Sequence, residues 1–166
     1  MKGLSKIEIK IVSDLEFRQK YYFTKEDIRQ HFSNRKQMTN IIYQLRTKGR
    51  IVRLNKDKYL LMPIRARMNK WTDNPLIIAD EICNGTDYYI GGWSAANYWG
   101  ITDQMPMQVD VYTTRRQGKF NILGNRIVFH RIRKKALEKA VTVNISNTPI
   151  KMIKKELAKQ WMKSRE

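Results

Sequence analysis

The sequence predicts an α+β protein built from two parts, and three observations predict it. Apolar residues recur at the three-to-four-residue spacing of helices through most of the first 48 positions. Short apolar runs bounded by Gly, Pro and Asn follow, and these are typical of β-strands and hairpins. An apolar fraction of 42% over 166 residues is enough to form a core.

Two helices are predicted before residue 33. The first runs from Ser5 to about Lys20, with apolar residues along one face and Ser5 as its N-cap. The second is short, over residues 25–32, and Thr24 is its expected N-cap. Asp27 stands where a capping box prefers Glu, so this box is imperfect.

A third helix is predicted after Asn34, and Gly49 is expected to end it as a C-cap. Its apolar residues have the i, i+3, i+4, i+7 spacing of a buried stripe: Met38, Ile41, Ile42 and Leu45. The opposite face of the helix is polar and basic: Arg35, Lys36, Thr39, Asn40, Tyr43, Arg46 and Thr47.

A β-hairpin is predicted next, with strands at 51–54 and 59–62 around the polar turn 55–58, and Pro63 ends it. Three helices followed by a hairpin are the element order of a winged helix-turn-helix. In that fold the third helix can lie in the DNA major groove, and the hairpin can reach the backbone or the minor groove. We therefore predict that residues 1–64 form a DNA-binding domain.

The residue types of this segment suit double-stranded DNA. Arg35 and Lys36, at the start of the third helix, can meet phosphate or guanine, while Gln37 and Asn40 can each bind adenine through two hydrogen bonds. Lysines at the hairpin tip suit phosphates, which contribute affinity but no sequence information. The predicted DNA-binding residues are Arg35, Lys36, Gln37, Thr39, Asn40, Tyr43, Arg46, Arg53, Lys56 and Lys58. The alternative is a winged helix that contacts proteins and whose polar face is only solvated.

The distribution of charge favours a polyanionic partner. The chain has 33 Lys and Arg against 15 Asp and Glu, a net charge of +18. Residues 1–70 carry a net +12, residues 71–110 carry −6 with no Lys or Arg, and residues 111–166 carry another +12. Two basic blocks therefore flank an acidic, aromatic segment, and basic surfaces of this kind attract nucleic acids.

The second part is predicted to be a small α+β domain at 75–166, joined to the first by a connector at 65–74. Its sheet is expected to be mostly antiparallel, with strands at 88–90, 109–113, 119–123, 126–132 and 141–145. Helices are expected at 76–83, at 95–99 and, basic and amphipathic, at 149–162. Ser94 is the expected cap of the middle helix, and Gly124-Asn125 marks a hairpin turn.

Residues 89–106, YIGGWSAANYWGITDQMP, resemble the AbiEi-type antitoxin family of transcriptional regulators, which is linked to type IV toxin–antitoxin and phage-defence operons. Residues 50–59 also resemble the wing of that family, and the similarity covers roughly residues 20–145. The resemblance implies a winged helix that represses its own operon, a role that falls on residues 35–46. It also implies a C-terminal part that opposes a nucleotidyltransferase-like toxin.

Enzymatic alternatives have little support in the sequence. Ser94, Asp110 and His130 follow in the order of a hydrolase triad, but the glycine expected two residues after the serine is missing. Asp103 and Asp110 lack the further carboxylate and lysine of a nuclease metal site. The sequence has no phosphate-binding glycine motif, and one Cys with two His leaves almost nothing for a zinc cluster. We therefore expect no catalytic site, no cofactor and no metal.

Five aromatic residues lie close together in the acidic segment: Tyr88, Tyr89, Trp93, Tyr98 and Trp99. Platforms that stack on single-stranded bases lie in positive grooves, and residues 71–110 hold no cation. We therefore expect these rings to pack in a core or to face a protein partner.

The favoured function is a sequence-specific transcriptional regulator that represses its own operon. The longest stretch without a charged residue, 88–102, has 15 residues and is too short to span a bilayer. We therefore expect a cytoplasmic protein whose partner is DNA, with a homodimer on a palindromic site left open. The alternatives are an antitoxin that binds a toxin protein, and a non-specific nucleic-acid-binding protein.

Overall fold

A computed structural model describes residues 3–66 and 73–165, and the contacts divide the chain into two compact units, residues 1–71 and 72–166. Each unit contains helices and strands, so the chain has the predicted α+β class. The connector predicted at 65–74 lies mostly outside the described residues.

Within residues 3–66, the first unit combines a three-stranded sheet with three helical segments. In chain order its elements are α1 (Lys6–Phe17), β1 (Tyr22–Thr24), a 3-10 helix (Glu26–His31), α2 (Arg35–Thr47), β2 (Ile51–Arg53) and β3 (Lys58–Leu61). Strand β3 lies between β1 and β2 and pairs antiparallel with both. Every element contributes to the core, which includes Ile11, Phe23, Ile28, Leu45, Ile51 and Leu61.

Helix α1 begins with a complete capping box. The Glu8 N–H donates to Ser5 Oγ at 3.4 Å, and the Ser5 N–H donates to Glu8 Oε2 at 2.6 Å, which confirms Ser5 as the N-cap. The helix ends at Phe17, before the predicted end at Lys20, because Gln19 takes a left-handed φ of 52°.

The second helical segment differs from the prediction. It is a 3-10 helix rather than an α-helix, and Thr24 is the last residue of β1 rather than the N-cap. The Thr24 N–H and hydroxyl both donate to Asp27 Oδ2, at 2.7 and 2.9 Å. The sequence does not predict β1, because a strand of 3 residues is too short to show a period of two.

Helix α2 matches the predicted third helix. Asn34 is its N-cap and accepts the Gln37 N–H at 2.9 Å, and Gly49, with a φ of 68°, directly follows the C-cap Lys48. The predicted stripe faces the core, since Met38, Ile42 and Leu45 are buried and Ile41 is half-buried. Burial of this stripe leaves the polar residues of α2 on the outside.

A buried ion pair joins the two α-helices of this unit. Lys48 Nζ lies 2.6 Å from Glu8 Oε2, and the Glu8 side chain is only 1% exposed. Burial raises the pKa of Glu8, but hydrogen bonds from Lys48 and Ser5 outweigh it and hold the pKa below its usual value. Sequence patterns do not reveal this pair, because its partners are 40 residues apart.

Within residues 73–165, the second unit contains a six-stranded sheet and three α-helices. Its elements are α3 (Pro75–Cys83), β4 (Tyr88–Gly91), α4 (Gly92–Tyr98), β5 (Val109–Thr113), β6 (Gly118–Ile122), β7 (Asn125–Arg131), a second 3-10 helix (Lys134–Lys139), β8 (Ala140–Ile145), β9 (Thr148–Ile153) and α5 (Lys155–Lys163). The strand order is β6-β7-β5-β4-β9-β8. The β4–β9 and β5–β7 pairs are parallel and the other three pairs are antiparallel, so antiparallel pairs predominate in a mixed sheet.

The predicted closing helix at 149–162 is wrong in its first part. Thr148–Ile153 is strand β9, which pairs antiparallel with β8 and parallel with β4. Ile150 and Met152 point to the same side of the sheet and are fully buried. Residues 146–147, both with positive φ, form the turn between β8 and β9. Helix α5 begins only after this strand.

The start of α4 also differs from the prediction. The helix begins at Gly92, and Ser94 is not its cap, because the Ser94 hydroxyl donates to the Gln108 carbonyl at 3.0 Å. Gly92 takes a φ of 59°, and a Cβ at this position would lie 2.7 Å from Asp110 Oδ2. Glycine is therefore required where β4 turns into α4.

The hairpin turn between β6 and β7 lies one residue earlier than predicted. It is formed by Leu123 and Gly124, both with positive φ, and Asn125 is the first residue of β7 rather than a turn residue. The other predicted helices and strands of this unit are confirmed to within one residue at each end.

Replacing one partner of the buried ion pair is expected to cost more stability than replacing both. Lys48→Met should lower the free energy of unfolding by about 3 kcal/mol, because it leaves the Glu8 carboxylate buried without its cation. The double variant Glu8→Leu/Lys48→Met should recover most of this loss. Urea unfolding followed by circular dichroism measures both, and the exposed Lys10→Met is a control expected within about 0.5 kcal/mol of the wild type.

The Glu8–Lys48 pair also makes the stability of the protein depend on pH. Comparison of the wild type with the double variant measures this dependence. Because folding lowers the pKa of Glu8, the stability it contributes is fully present above the unfolded-state pKa of about 4.3 and is lost as the pH falls through the lower folded-state value. The wild type should therefore lose more stability between neutral pH and about pH 3 than the double variant does. Equal losses in the two proteins would contradict an ionised, paired Glu8.

Candidate nucleic-acid interface

The exposed face of α2 carries the seven helix residues that the sequence predicts for DNA contact. Arg35, Lys36, Gln37, Thr39, Asn40, Tyr43 and Arg46 are all exposed. Tyr43 is 63% exposed, so its ring is accessible to a partner as well as to water. Because the opposite face is packed in the core, this strip is the side of α2 that a ligand can reach.

Few of these side chains form hydrogen bonds or ion pairs within the protein. Four of them form no side-chain hydrogen bond or ion pair with any residue in the described ranges: Arg35, Lys36, Asn40 and Arg46. Thr39 Oγ1 donates to the Arg35 carbonyl at 3.0 Å, and Gln37 Oε1 accepts the Ser33 N–H at 3.3 Å. Most of the hydrogen-bonding capacity of the face is therefore open to a partner.

Hydrogen bonds from side chains of the hairpin hold its tip in place. Arg53 Nε donates to the Asn55 carbonyl at 2.8 Å, and Arg53 Nη2 donates to the Lys56 carbonyl at 3.1 Å. Asn55 Oδ1 accepts the N–H groups of Asp57 and Lys58, both at 2.9 Å. Lys56 is exposed at the tip, whereas Lys58 is half-buried at the start of β3. Lys56 is thus the cation best placed for a phosphate, and Arg53 holds the turn that presents it.

Half of the acidic residues described in the first unit form ion pairs away from the α2 face. Residues 28–56 contain eight Lys and Arg and no Asp or Glu. Three of the six acids in residues 3–66 lie in ion pairs with other cations: Glu8 with Lys48, Asp14 with Arg18, and Asp27 with Lys20. The cations of the α2 face therefore have no residue of opposite charge in their own segment.

Hydrogen bonds keep these acids ionised. The bond with His31 is the main influence on Asp14 and lowers its pKa, and Arg18 acts in the same direction against the effect of burial. Burial raises the pKa of Asp27, but hydrogen bonds from Lys20 and a neighbouring threonine lower it overall. At neutral pH these carboxylates neutralise their own partners, so none of them pairs with a cation on the exposed face of α2.

Arg35 and Lys36 occupy the first turn of α2, where cations are unfavourable. A helix N-terminus carries partial positive charge, which disfavours an exposed cation by about 0.3–1 kcal/mol and favours an anion by a similar amount. No acidic residue lies in this turn. The N-terminus of a helix favours anions, and the two exposed cations there attract anions as well. Together they form a site suited to phosphate groups.

The aromatic residues at 88–99 pack mainly within the second unit. Tyr88 and Tyr89 are buried, and the Tyr88 hydroxyl donates to Asp80 Oδ1 at 2.5 Å. Ring contacts join β4 to β5 through Tyr89 and Tyr112, and α4 to α5 through Trp93 and Trp161, while Tyr98 contacts its sequence neighbour Trp99. Most of these rings are therefore part of the packing, as one of the two sequence-based alternatives expects.

Of the three residues considered as a hydrolase triad, the histidine and the aspartate contact each other, but the serine has a different partner. His130 Nε2 lies 2.8 Å from Asp110 Oδ1, which Gln108 Nε2 also contacts at 3.0 Å. Ser94 is buried, and its hydroxyl donates to a backbone carbonyl rather than to His130. Asp103, the other acid considered for a metal site, is exposed.

Three further features of the described residues concern metal binding, cysteine reactivity and the crossing of a membrane. Within residues 3–66 and 73–165 no group of three or more His, Cys, Asp and Glu is arranged to hold a metal ion. Cys83 is buried, and burial raises the pKa of its thiol to about 12, so the reactive thiolate is disfavoured. None of the helices in these ranges has the length and apolar character needed to cross a membrane.

Comparison with known proteins identifies a similar fold but no family. No family model matches the chain, and no curated protein matches it. The solved structure of the RV2827C protein from Mycobacterium tuberculosis is similar, with a TM-score of 0.57 at 17% sequence identity, over 85% of this chain and 50% of that one. The chain thus spans about half the length of that protein, and at this identity the similarity concerns the fold alone.

Reversing the charge at the start of α2 is expected to stabilise the protein. Arg35→Glu places an anion where the helix macrodipole favours one, and it should raise the free energy of unfolding by about 1 kcal/mol at low ionic strength. Arg46→Glu, in the last turn of the same helix, should lower the free energy of unfolding by a similar amount. Urea unfolding of both variants beside the wild type measures the two effects. Destabilisation by both changes would show that the cations at the N-terminus do not oppose helix stability.

Proposed function

We propose that the first unit is a winged helix-turn-helix that binds double-stranded DNA, and that the protein is a sequence-specific transcriptional regulator. The observation that carries this proposal is the exposed face of α2, which combines unpaired cations, amides and an aromatic ring without any acidic residue. The order of helices followed by a hairpin supports it, because this is the order in which a winged helix presents a recognition helix and a wing.

Helix α2 is the proposed recognition helix. Its 13 residues span about 20 Å in length, and an α-helix about 10–12 Å in diameter fits the major groove of B-DNA. Arg35 and Asn40 are proposed to read base edges, because guanidinium and amide groups form paired hydrogen bonds with guanine and adenine respectively. Both side chains are exposed and make no competing hydrogen bond within the described residues.

The hairpin is the proposed wing, and it contributes affinity rather than sequence preference. Lys56 is exposed at a tip that Arg53 and Asn55 hold in place, so it can meet a phosphate without first ordering the turn. The direct phosphate contact is therefore assigned to Lys56. Arg53 acts as a positioning residue through the turn.

The second basic block is proposed to add phosphate contacts. Helix α5 presents Lys155, Lys159 and Lys163 at i, i+4 and i+8, which places them along one side of the helix, and all three are exposed. Their ammonium groups interact with DNA as point charges and do not read sequence.

We also propose, on the resemblance of residues 89–106, that the protein is related to AbiEi-type antitoxins and represses its own operon. This segment forms the end of β4, helix α4 and the loop after it, which lie in the second unit. The relationship supplies a first DNA target, the region upstream of the coding sequence of the protein itself.

Fluorescence anisotropy tests the proposed function directly. The protein is titrated onto a duplex from its own upstream region and onto a shuffled duplex of the same composition, at roughly 50 and 200 mM salt. We expect a preference for the upstream duplex that persists at the higher salt. Equal binding to both duplexes that disappears at the higher salt would overturn sequence-specific recognition and leave only general attraction between a basic protein and a polyanion.

Variants separate the base contacts from the phosphate contact. Asn40→Ala and Arg35→Ala should each cost about 1–3 kcal/mol on the specific duplex and little on the shuffled one. Lys56→Ala should weaken binding to both duplexes alike and reduce the salt dependence by about one unit of slope. Lys10→Ala, an exposed lysine of α1 outside the proposed interface, is the charge-matched control and should change neither affinity. Equal losses on both duplexes for Asn40, Arg35 and Lys56 would remove α2 from the role of recognition helix.

A further inference from the structure

The second unit contains a cavity that the proposed DNA-binding function does not use. It has a volume of about 590 Å³ and lies between the N-terminal end of α3, helix α4, the loop before β5 and the turn between β6 and β7. Cavities of roughly 300–1,000 Å³ are the usual size of small-molecule sites. Its lining residues include Leu76, Asn97, Tyr98, Met105, Met107 and Arg126.

Polar side chains that line the cavity form hydrogen bonds that fix the loop forming part of its wall. Asn97 Nδ2 donates to the carbonyls of Thr102 and Gln104, at 3.4 and 3.2 Å, and so ties the loop after α4 back onto the helix. Ser94 Oγ donates to the Gln108 carbonyl at 3.0 Å and fixes the other end of that loop. The cavity is therefore built by side chains that already have partners, which is the arrangement expected of a preformed site.

The charge of the lining points to an anionic ligand. Arg126 is the one charged residue among those described that line the cavity, and no Asp or Glu lines it. Arg126 is exposed and forms no hydrogen bond or ion pair through its side chain with any described residue. Its position is notable because residues 71–110, which supply most of the wall, contain no Lys or Arg. A guanidinium here can bind a carboxylate, phosphate or sulfonate through two parallel hydrogen bonds.

Two methionines of the lining are largely exposed to solvent. Met105 is 80% exposed and Met107 is 93% exposed, and the two flank Pro106 at the cavity. Methionine side chains are flexible and polarisable, so they can close over apolar ligands of different shapes. A ligand with an apolar body would remove these side chains, together with Leu76, from water.

We propose that this cavity is a binding site for a small organic anion, in which the anionic group meets Arg126 and an apolar, preferably aromatic, body lies against Leu76 and the two methionines. The proposal concerns the second unit alone. It stands or falls independently of DNA binding by the first unit.

The test uses 8-anilinonaphthalene-1-sulfonate, which carries one anionic group on an apolar aromatic body. The full-length protein is labelled with 13C at its methionine methyl groups, and the probe is titrated while the methyl resonances are followed by NMR. We expect saturable shifts of the Met105 and Met107 resonances, while those of Met38 and Met62 in the first unit and of the buried Met152 stay in place. Shifts spread over all these methyl groups, or no saturable shift at Met105 and Met107, would overturn the site.

Matched variants and a matched ligand test the role of charge. Arg126→Gln should weaken binding of the probe about tenfold, since it removes a charged hydrogen bond. Arg131→Gln changes an exposed arginine of the same strand that does not line the cavity, and it should leave the affinity unchanged. The neutral analogue N-phenyl-1-naphthylamine should bind Arg126→Gln and the wild type equally. Equal affinity of the sulfonate for Arg126→Gln and Arg131→Gln would overturn the assignment of Arg126 as the anion-binding residue.

Discussion

One buried contact, the ion pair between Glu8 and Lys48, constrains the arrangement of the first unit more than it stabilises it. The Glu8 carboxylate completes the capping box of α1. It also accepts a hydrogen bond from the ammonium group of Lys48 at the C-terminal end of α2. A buried pair of this kind adds little net stability, because desolvation of both charges offsets their attraction. Any arrangement that separates the two charges is costly, however, so the pair favours the packing in which the end of α2 lies near the start of α1, with the apolar stripe of α2 in the core and its polar face in solvent.

How far the sequence predicts this fold depends on how local the deciding contacts are. The cap at Asn34, the apolar stripe and Gly49 all lie within α2 or at its ends, and the helix is predicted correctly. Strand β9 pairs along its whole length with β8, its neighbour in the chain, and also with β4, a segment far away in the sequence. The apolar residues from Ile150 onward fit the spacing of a helix as well as that of a strand, so the pattern favours the wrong element until the pairing is known.

The candidate sites follow the same rule. The exposed face of α2 is predictable because a single helix carries all of its residues, whereas the cavity joins Leu76, Met107 and Arg126 from three separate segments. The predicted contact residue Arg53 shows an intermediate case. Its position in the hairpin follows from the sequence, but its hydrogen bonds to the turn carbonyls depend on a turn geometry that residue types alone do not specify.

Both proposed sites contain cations that form no ion pair with any described residue. Inside the units, polar groups are mostly satisfied, as the Tyr88 hydroxyl is by Asp80 and by the Lys151 N–H. At the start of α2, by contrast, Arg35 and its neighbour oppose the helix dipole, and at the cavity Arg126 lacks a counter-charge beside exposed methionines. The cations at the start of α2 lower the stability of the free helix, and a ligand that binds only the folded state stabilises the protein by an amount that rises with the logarithm of its concentration relative to Kd. A bound anion would offset the unfavourable charge at the start of α2 and would supply a counter-charge to Arg126, and both proposed sites rest on this complementarity of charge.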